Sequence, residues 1–298
     1  MATPNTPALR MDRWLTLSIV APLSGVLPSS RGMAAGMSIP ILMYHSIADD
    51  VDDTVHPYFR TVTTPASFAR QIEFLREQGY EAVTLSEATR MLHDPVYPAA
   101  GHAKRVVLTF DDGFRDFYTT ACPILERAGF SATVFLASAY IDKPFLTGRD
   151  CLRASEVREL CDKGIEFGSH SASHRRLVEL SRDELVEEVV ASKEAIQGIT
   201  GKEVTLFSYP YRFPEENLAF TRSLGELLAK SGYRAGVTTS IGRPRPVDDW
   251  RFLPRLPIND CDDARLLRAK LEGHYDWLRA GQLMRKRSRA LLRRWMPS

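Results

Sequence analysis

Two adjacent carboxylates, Asp111 and Asp112, followed by Gly113, close the apolar run Val106-Val107-Leu108 through Thr109 and Phe110. Like charges held that close are costly unless a cation or a proton lies between them. A strand ending in an Asp-Gly turn is common in itself. The pair gains weight from a second segment, Ser169-His170-Ser171-Ala172-Ser173-His174. Histidines four apart, on one turn or a tight loop, can turn their imidazoles to one point. With Asp112 they make a three-donor nitrogen-and-oxygen set, as in catalytic zinc sites, which use three protein ligands and leave a position for water. An ion with an open position lowers the pKa of the water it binds toward neutrality. Asp111, whose neighbour Asp112 would be taken by the ion, is then the natural base. A leaving group needs a proton back, and histidine titrates in the right range. A backbone N–H after Tyr209-Pro210, that of Tyr211, could stabilise a tetrahedral oxyanion.

The elements that must hold these residues alternate. Strands are expected at Ile39–Tyr44, Glu81–Leu85, Val106–Phe110, Ala132–Ala137, Ile165–Gly168, Val204–Ser208, Arg234–Thr239 and Phe252–Leu256. Between them, Thr64-Pro65 opens a helix that Gly79 stops, Ser86 caps one to about His93, and another covers about Asp116–Ala128. Ser155 caps a helix that Gly164 closes, and Ser181 with Glu184 forms a capping box for a helix to about Ile199. One more ends at Ser231-Gly232, and a last long helix starts near Asp262. This order implies parallel strands with covering helices, about eight strands, open or closed into a barrel. His45, Asp111, Asp112, His170, His174, Tyr211 and Arg255 all fall just after strand C-terminal ends, the face that builds the active site in parallel α/β folds.

The 298 residues suffice for one large α/β domain, and no repeat or linker argues for a second. A net charge of +2 gives no global pointer to nucleic acid. The four cysteines lack Cys-x-x-Cys pairing and read as buried or incidental thiols. No run is long enough to span a bilayer. Arg10 and Arg13 precede the moderately apolar Trp14–Leu27, broken by Pro22 and Gly25, and Met33-Ala34-Ala35-Gly36 follows. That outline fits either a weak secretory signal or a disordered extension, so cytoplasm and cell envelope both stay open. Either way residues 1–36 are expected outside the fold, with the domain over 37–280. The tail, 281–298, sets six basic residues from Arg285 to Arg294 among Leu283, Met284, Leu291, Leu292, Trp295 and Met296. It reads as a basic amphipathic helix for an anionic membrane surface, or as a solvated end.

Thr109-Phe110-Asp111-Asp112-Gly113 and His170-Ser171-Ala172-Ser173-His174 resemble the first two motifs of the polysaccharide deacetylase family, the NodB-homology or carbohydrate esterase family 4 enzymes. The resemblance covers roughly Ile39 to Leu256. It implies a distorted (β/α) barrel of seven to eight mostly parallel strands. It implies removal of N-acetyl groups from an amino-sugar polymer with one divalent ion, zinc in the first place. Asp111 would be the base, Asp112, His170 and His174 the ligands, and Tyr209 and Pro210 substrate contacts. Three features depart from the pattern. Ser208 stands where the third motif, Arg-x-Pro-Tyr-Gly, has arginine, and Arg212 replaces its glycine. The arginine that steadies the base must come from elsewhere, and Arg255 is the candidate, its other reading being a surface salt bridge. No Leu-x-His ends the chain, but near its start Ile41-Leu42-Met43-Tyr44-His45 is an apolar strand that ends in histidine in the same way. This resembles the circularly permuted arrangement of deacetylases of secreted poly-N-acetylglucosamine and assigns the acid to His45. The basic tail is the third departure. An O-acetyl polysaccharide esterase and an inactive carbohydrate-binding protein are the alternative readings.

Overall fold

The computed structural model describes residues 11–24, 38–50, 54–56, 60–93, 104–279 and 281–284. Among them the strands are β1 (Ile41–Tyr44), β2 (Ser46–Ile47), β3 (Val62–Thr63), β4 (Tyr80–Val83), β5 (Lys104–Phe110), β6 (Thr133–Leu136), β7 (Glu166–Ser169), β8 (Leu206–Ser208), β9 (Ala235–Ile241) and β10 (Leu253–Pro257). Seven of them, in the order β1-β10-β9-β8-β7-β6-β5, close on themselves because β5 also pairs with β1. All these pairings are parallel. β4 joins the first half of β5 as an extra strand. The expected barrel is therefore formed, and the N-terminal strand is its closing stave: Leu42 is in register with Leu256 on one side and Leu108 on the other.

Strand parity explains where the site must be. Successive strand residues face opposite sides. Val106, Leu108 and Phe110 pack outward in the large cluster with Phe68, Ile72 and Leu125 of the covering helices. Val107 belongs instead to a smaller cluster with Ile41, Phe135, Leu206, Val237 and Leu253, each from a different strand, which fills the barrel. Both faces of β5 are thus apolar, as its sequence requires. Two residues on from this filling, on the same parity, stand Thr109, Ser208 and Arg255, and Asp111 follows Thr109. Gly168 on β7 keeps the filling possible, since a Cβ there would lie 2.6 Å from the Phe135 ring.

The helices start where side chains can cap them, with two corrections. Thr84, not Ser86, opens the helix Leu85–His93: its hydroxyl accepts from the Glu87 N–H at 3.2 Å, and the Glu87 carboxylate accepts from the Thr84 N–H at 2.9 Å. The helix Ala154–Asp162 begins after Arg153, whose N–H donates to Glu156 at 3.0 Å, and Ser155 lies inside it. β2 and β3, two residues each, carry no periodicity and were not expected. The helix expected from near Asp262 is short, Ala264–Leu271, and after a turn residues 277–279 and 281–284 are helical again.

The exclusion of residues 1–36 also needs correction. Met11–Leu15, Thr16–Val20 and Ala21–Ser24 are helical in succession. Arg13 pairs with Asp263 at 2.5 Å, the Trp277 indole donates to Thr16 at 3.1 Å, and Tyr275 bonds Asp12. These polar anchors dock the segment on the C-terminal helices. The basic residues of the tail, from Arg285 onward, lie outside the described residues. No described helix is long and apolar enough to cross a membrane.

Candidate active site

Asp111 and Asp112 do not point apart, because the chain turns left-handed between them and the next element. Asp112 has φ +71° and Gly113 φ +71°. Among the described residues five non-glycines have positive φ, and four of them, Asp112, Ser171, His174 and Tyr211, line this one place. Each such conformation costs about 1–3 kcal/mol, which the surrounding structure must hold. Gly113 is held tightest. A Cβ there would sit 2.6 Å from Leu136 Cδ2 in a buried contact. Gly113→Ala is expected to lower unfolding free energy by about 1–3 kcal/mol, read by denaturant titration.

The Asp112 Oδ1 lies 3.5 Å from His170 Nε2 and 3.3 Å from His174 Nε2. One donor atom from each of the three residues falls within 4.8 Å of the other two, and all three residues are buried. Asp112 Oδ1 has no hydrogen-bond partner, an expensive condition for a buried carboxylate. The His170 Nδ1 lies 2.8 Å from the Ser208 carbonyl. That carbonyl can only accept, so Nδ1 carries a hydrogen and Nε2 is the nitrogen turned to Asp112. Burial would lower the His170 pKa, but the charges of Asp111 and Asp112 raise it, and a bound ion would displace the Nε2 proton. Burial, then the charge of His170, pushes the His174 pKa down to about 4, which leaves its ring neutral and able to ligate at neutral pH. The donor set therefore fits one divalent ion.

The loop that carries the histidines is pinned at each step. The Ser171 N–H donates to Ser169 Oγ at 3.2 Å, and the His174 N–H to Ser171 Oγ at 3.1 Å. The Ser173 N–H donates to the Glu188 carboxylate at 2.9 Å, from the helix Arg182–Thr200.

Asp111 has a different partner. Arg255, with its side chain fully buried at 0% exposure, is no surface salt bridge. Its guanidinium donates to Asp111 Oδ1 at 2.8 Å and to Oδ2 at 2.6 Å. It is itself fixed by the Thr238 carbonyl at 3.0 Å and Thr109 Oγ1 at 3.1 Å. The Ser208 hydroxyl donates to Asp111 Oδ1 at 3.2 Å and accepts from Arg255 at 3.2 Å. Burial alone would raise the Asp111 pKa; the charge of Arg255, then of His170, overrides it and holds the carboxyl well below the usual range.

His45 follows β1, and its Nε2 lies 4.0 Å from Asp111 Oδ2. Its side chain is 19% exposed. His274, past the helix Ala264–Leu271, lines a separate hollow against Leu17 and Ala21 of the N-terminal helical segment. The Tyr211 ring centre lies 4.4 Å from that of His174, the rings tilted by 50°, with the Arg176 guanidinium 4.9 Å from the tyrosine ring. Tyr209 does not face this cleft. Its ring is buried beside Phe213 and Phe220, because it alternates with inward-facing Ser208. Pro210 is buried after it. Ser208, Thr238 and Glu188 were not foreseen. Only Ser208 carried a sequence signal, its place at the position of the third-motif arginine.

A family model described as polysaccharide deacetylase matches residues 99–236. The chain belongs to the polysaccharide deacetylase family. The match includes both carboxylates, both ligand-type histidines, Ser208 and Tyr211, but neither His45 nor Arg255. Those two come from strands on either side of the matched stretch, which the closed barrel brings to the same mouth. A Bacillus subtilis protein, YxkH, whose name places it among polysaccharide deacetylases, is 31% identical over 206 residues, 68% of this chain and 65% of that protein. The poly-β-1,6-N-acetyl-D-glucosamine N-deacetylase of Escherichia coli is 30% identical over 152 residues, 49% of this chain and 19% of that protein. The chain thus spans less than two thirds of either relative. The structure of the Streptococcus pyogenes deacetylase PplD in complex with acetate superposes with a TM-score of 0.68 at 25% identity, covering 78% of this chain and 98% of that one.

Proposed function

We propose that this polysaccharide deacetylase removes N-acetyl groups from an amino-sugar polymer of an exopolysaccharide or the cell envelope, with one divalent ion held by Asp112, His170 and His174. The observation that carries the reading is the buried, unpartnered Asp112 Oδ1 between two imidazole nitrogens, beside a second carboxylate held by Arg255. Two imidazoles and one carboxylate suit zinc. Such an ion supplies Lewis acidity toward the acetyl carbonyl and toward water. The E. coli relative is named for an N-acetylglucosamine polymer, and the S. pyogenes structure holds acetate, the acid such a reaction releases.

Asp111 takes the proton of the attacking water. Arg255 and Ser208 keep its two oxygens oriented for that transfer. The Tyr211 N–H faces the oxygen of the tetrahedral intermediate, and its half-exposed ring forms a wall for the sugar. An amine leaves poorly unless protonated, and His45, close to Asp111 yet paired with no ligand residue, delivers that proton. This need for an acid favours N-acetyl over O-acetyl substrates.

Acetate release from N-acetylglucosamine oligomers and from an O-acetylated polymer, before and after chelation and zinc return, tests the reading. Zinc-restored release from the N-acetyl substrate is expected. Folded, zinc-loaded protein that releases acetate only from the O-acetyl polymer would make it an esterase, and release from neither would make it a binding protein. His45→Ala is expected to cut turnover about a hundredfold or more, with zinc content and substrate binding nearly unchanged; turnover within threefold of the parent would remove His45 as the acid.

A further inference from the structure

We infer that Asp116 is the positioning residue for His45. The inference rests on His45 being the acid. Asp116 acts through the residues that follow the histidine. Its carboxylate, 13% exposed, accepts from the Ser46 hydroxyl at 2.5 Å and from the Ile47 N–H at 3.1 Å. Arg149 lies 3.4 Å from the same Oδ2 and is tied onward to Asp50 at 2.7 Å. On the other side of His45, the Tyr44 carbonyl accepts from the Asp111 N–H at 3.0 Å. The residues before and after His45 are thus both gripped by one short segment, 111–116, which also carries the base and a ligand.

Asp116 sits where that segment becomes helical, just before Phe117–Ala121. The Asp112-Gly113 turn sets how far Asp116 stands from Asp111, so the acid is placed relative to the base by a single stretch of chain. β2 adds a third hold, with the Ser46 N–H on the Thr61 carbonyl at 3.2 Å. Bonds to a charged acceptor are the stronger kind. An acid displaced by about 1 Å loses on the order of a hundredfold in rate, since proton transfer needs near-contact geometry.

A double-mutant cycle on acetate release from N-acetylglucosamine oligomers decides. Asp116→Ala is expected to lower kcat about 10- to 50-fold, with KM within about twofold and full zinc content. Asp116→Asn, whose amide oxygen still accepts from Ile47, is expected to recover part of the loss. In the His45→Ala background, Asp116→Ala should cost less than about threefold more, because its only lever is already gone. Equal losses in both backgrounds overturn the inference, and so does unchanged kcat in Asp116→Ala alone. If His45→Ala keeps parental turnover, the acid assignment falls first and this inference falls with it. Should Asp116→Ala fail to fold, Asp116→Asn and Ser46→Ala complete the same cycle.

Discussion

Asp111→Asn is expected to lower acetate release about a thousandfold or more, within the range that a lost general base costs, while one zinc per chain remains. Asp112→Asn is expected to lose both zinc and activity. The two residues are neighbours of the same type, so chemistry alone does not separate them; their partners do. Asp111 spends both oxygens on Arg255 and one also on Ser208. Asp112 Oδ1 is bonded to nothing and lies between His170 and His174. An amide at position 111 still accepts from Arg255 but takes no proton from water. An amide at position 112 offers a weaker, neutral ligand. Metal analysis beside the rate assay checks the division, and equal zinc loss in the two variants would refute it.

Arg255→Met is expected to be the most damaging single change to stability, by about 3–5 kcal/mol, because it leaves a buried carboxylate without its charge partner. Thr109, Ser208 and the Thr238 carbonyl each lose a donor as well. The linkage has a definite sign. The folded Asp111 pKa is held below its unfolded value, about 3.9. The pair's contribution is therefore fully present above pH 4 and fades as pH falls toward the folded value. The stability gap between parent and Arg255→Met, from urea unfolding, should narrow as pH falls, beginning above about pH 4, because Asp111 buried without Arg255 takes up a proton more readily than the parent's. A gap under about 1 kcal/mol at pH 7, the level of an exposed pair, would show that the pair is not the buried clamp its geometry describes. Arg255→Lys keeps the charge but not the two-pronged contact, and is expected to fall between.

What the sequence disclosed was whatever lies close together along it. Asp111-Asp112-Gly113 and the two histidines are contiguous motifs, and apolar runs marked the strands that carry them. Arg255 and His45 were reachable because strand ends of a parallel fold share one face. Ser208 was noted only as a missing arginine. Its carbonyl meets His170 and its hydroxyl meets Asp111 only because β8 stands beside β7 and near β10. Tyr209 was assigned to substrate by its place in a motif, although its parity opposite Ser208 sends it outward. The N-terminal helix was misjudged for a different reason. An apolar stretch between arginines has the same composition as a leader or as a docked helix, and its partners, Asp263, Tyr275 and Trp277, lie at the far end of the chain.

The closure of the barrel by its first strand sets the order in which this protein can be made. During synthesis β1 and β5 are available to each other early, but β10, which must slot between β1 and β9, is among the last strands to emerge. Parallel pairings over such separations form slowly. Asp111 and Arg255 are 144 residues apart, so the carboxylate waits through the synthesis of 144 residues for its guanidinium. A ribosome stalled before residue 255 would hold both halves of the ligand set and His45, yet an open sheet around them. On the proposed mechanism, chemistry and closure of the barrel are thereby tied together: until β10 is in place the base lacks the guanidinium that orients it.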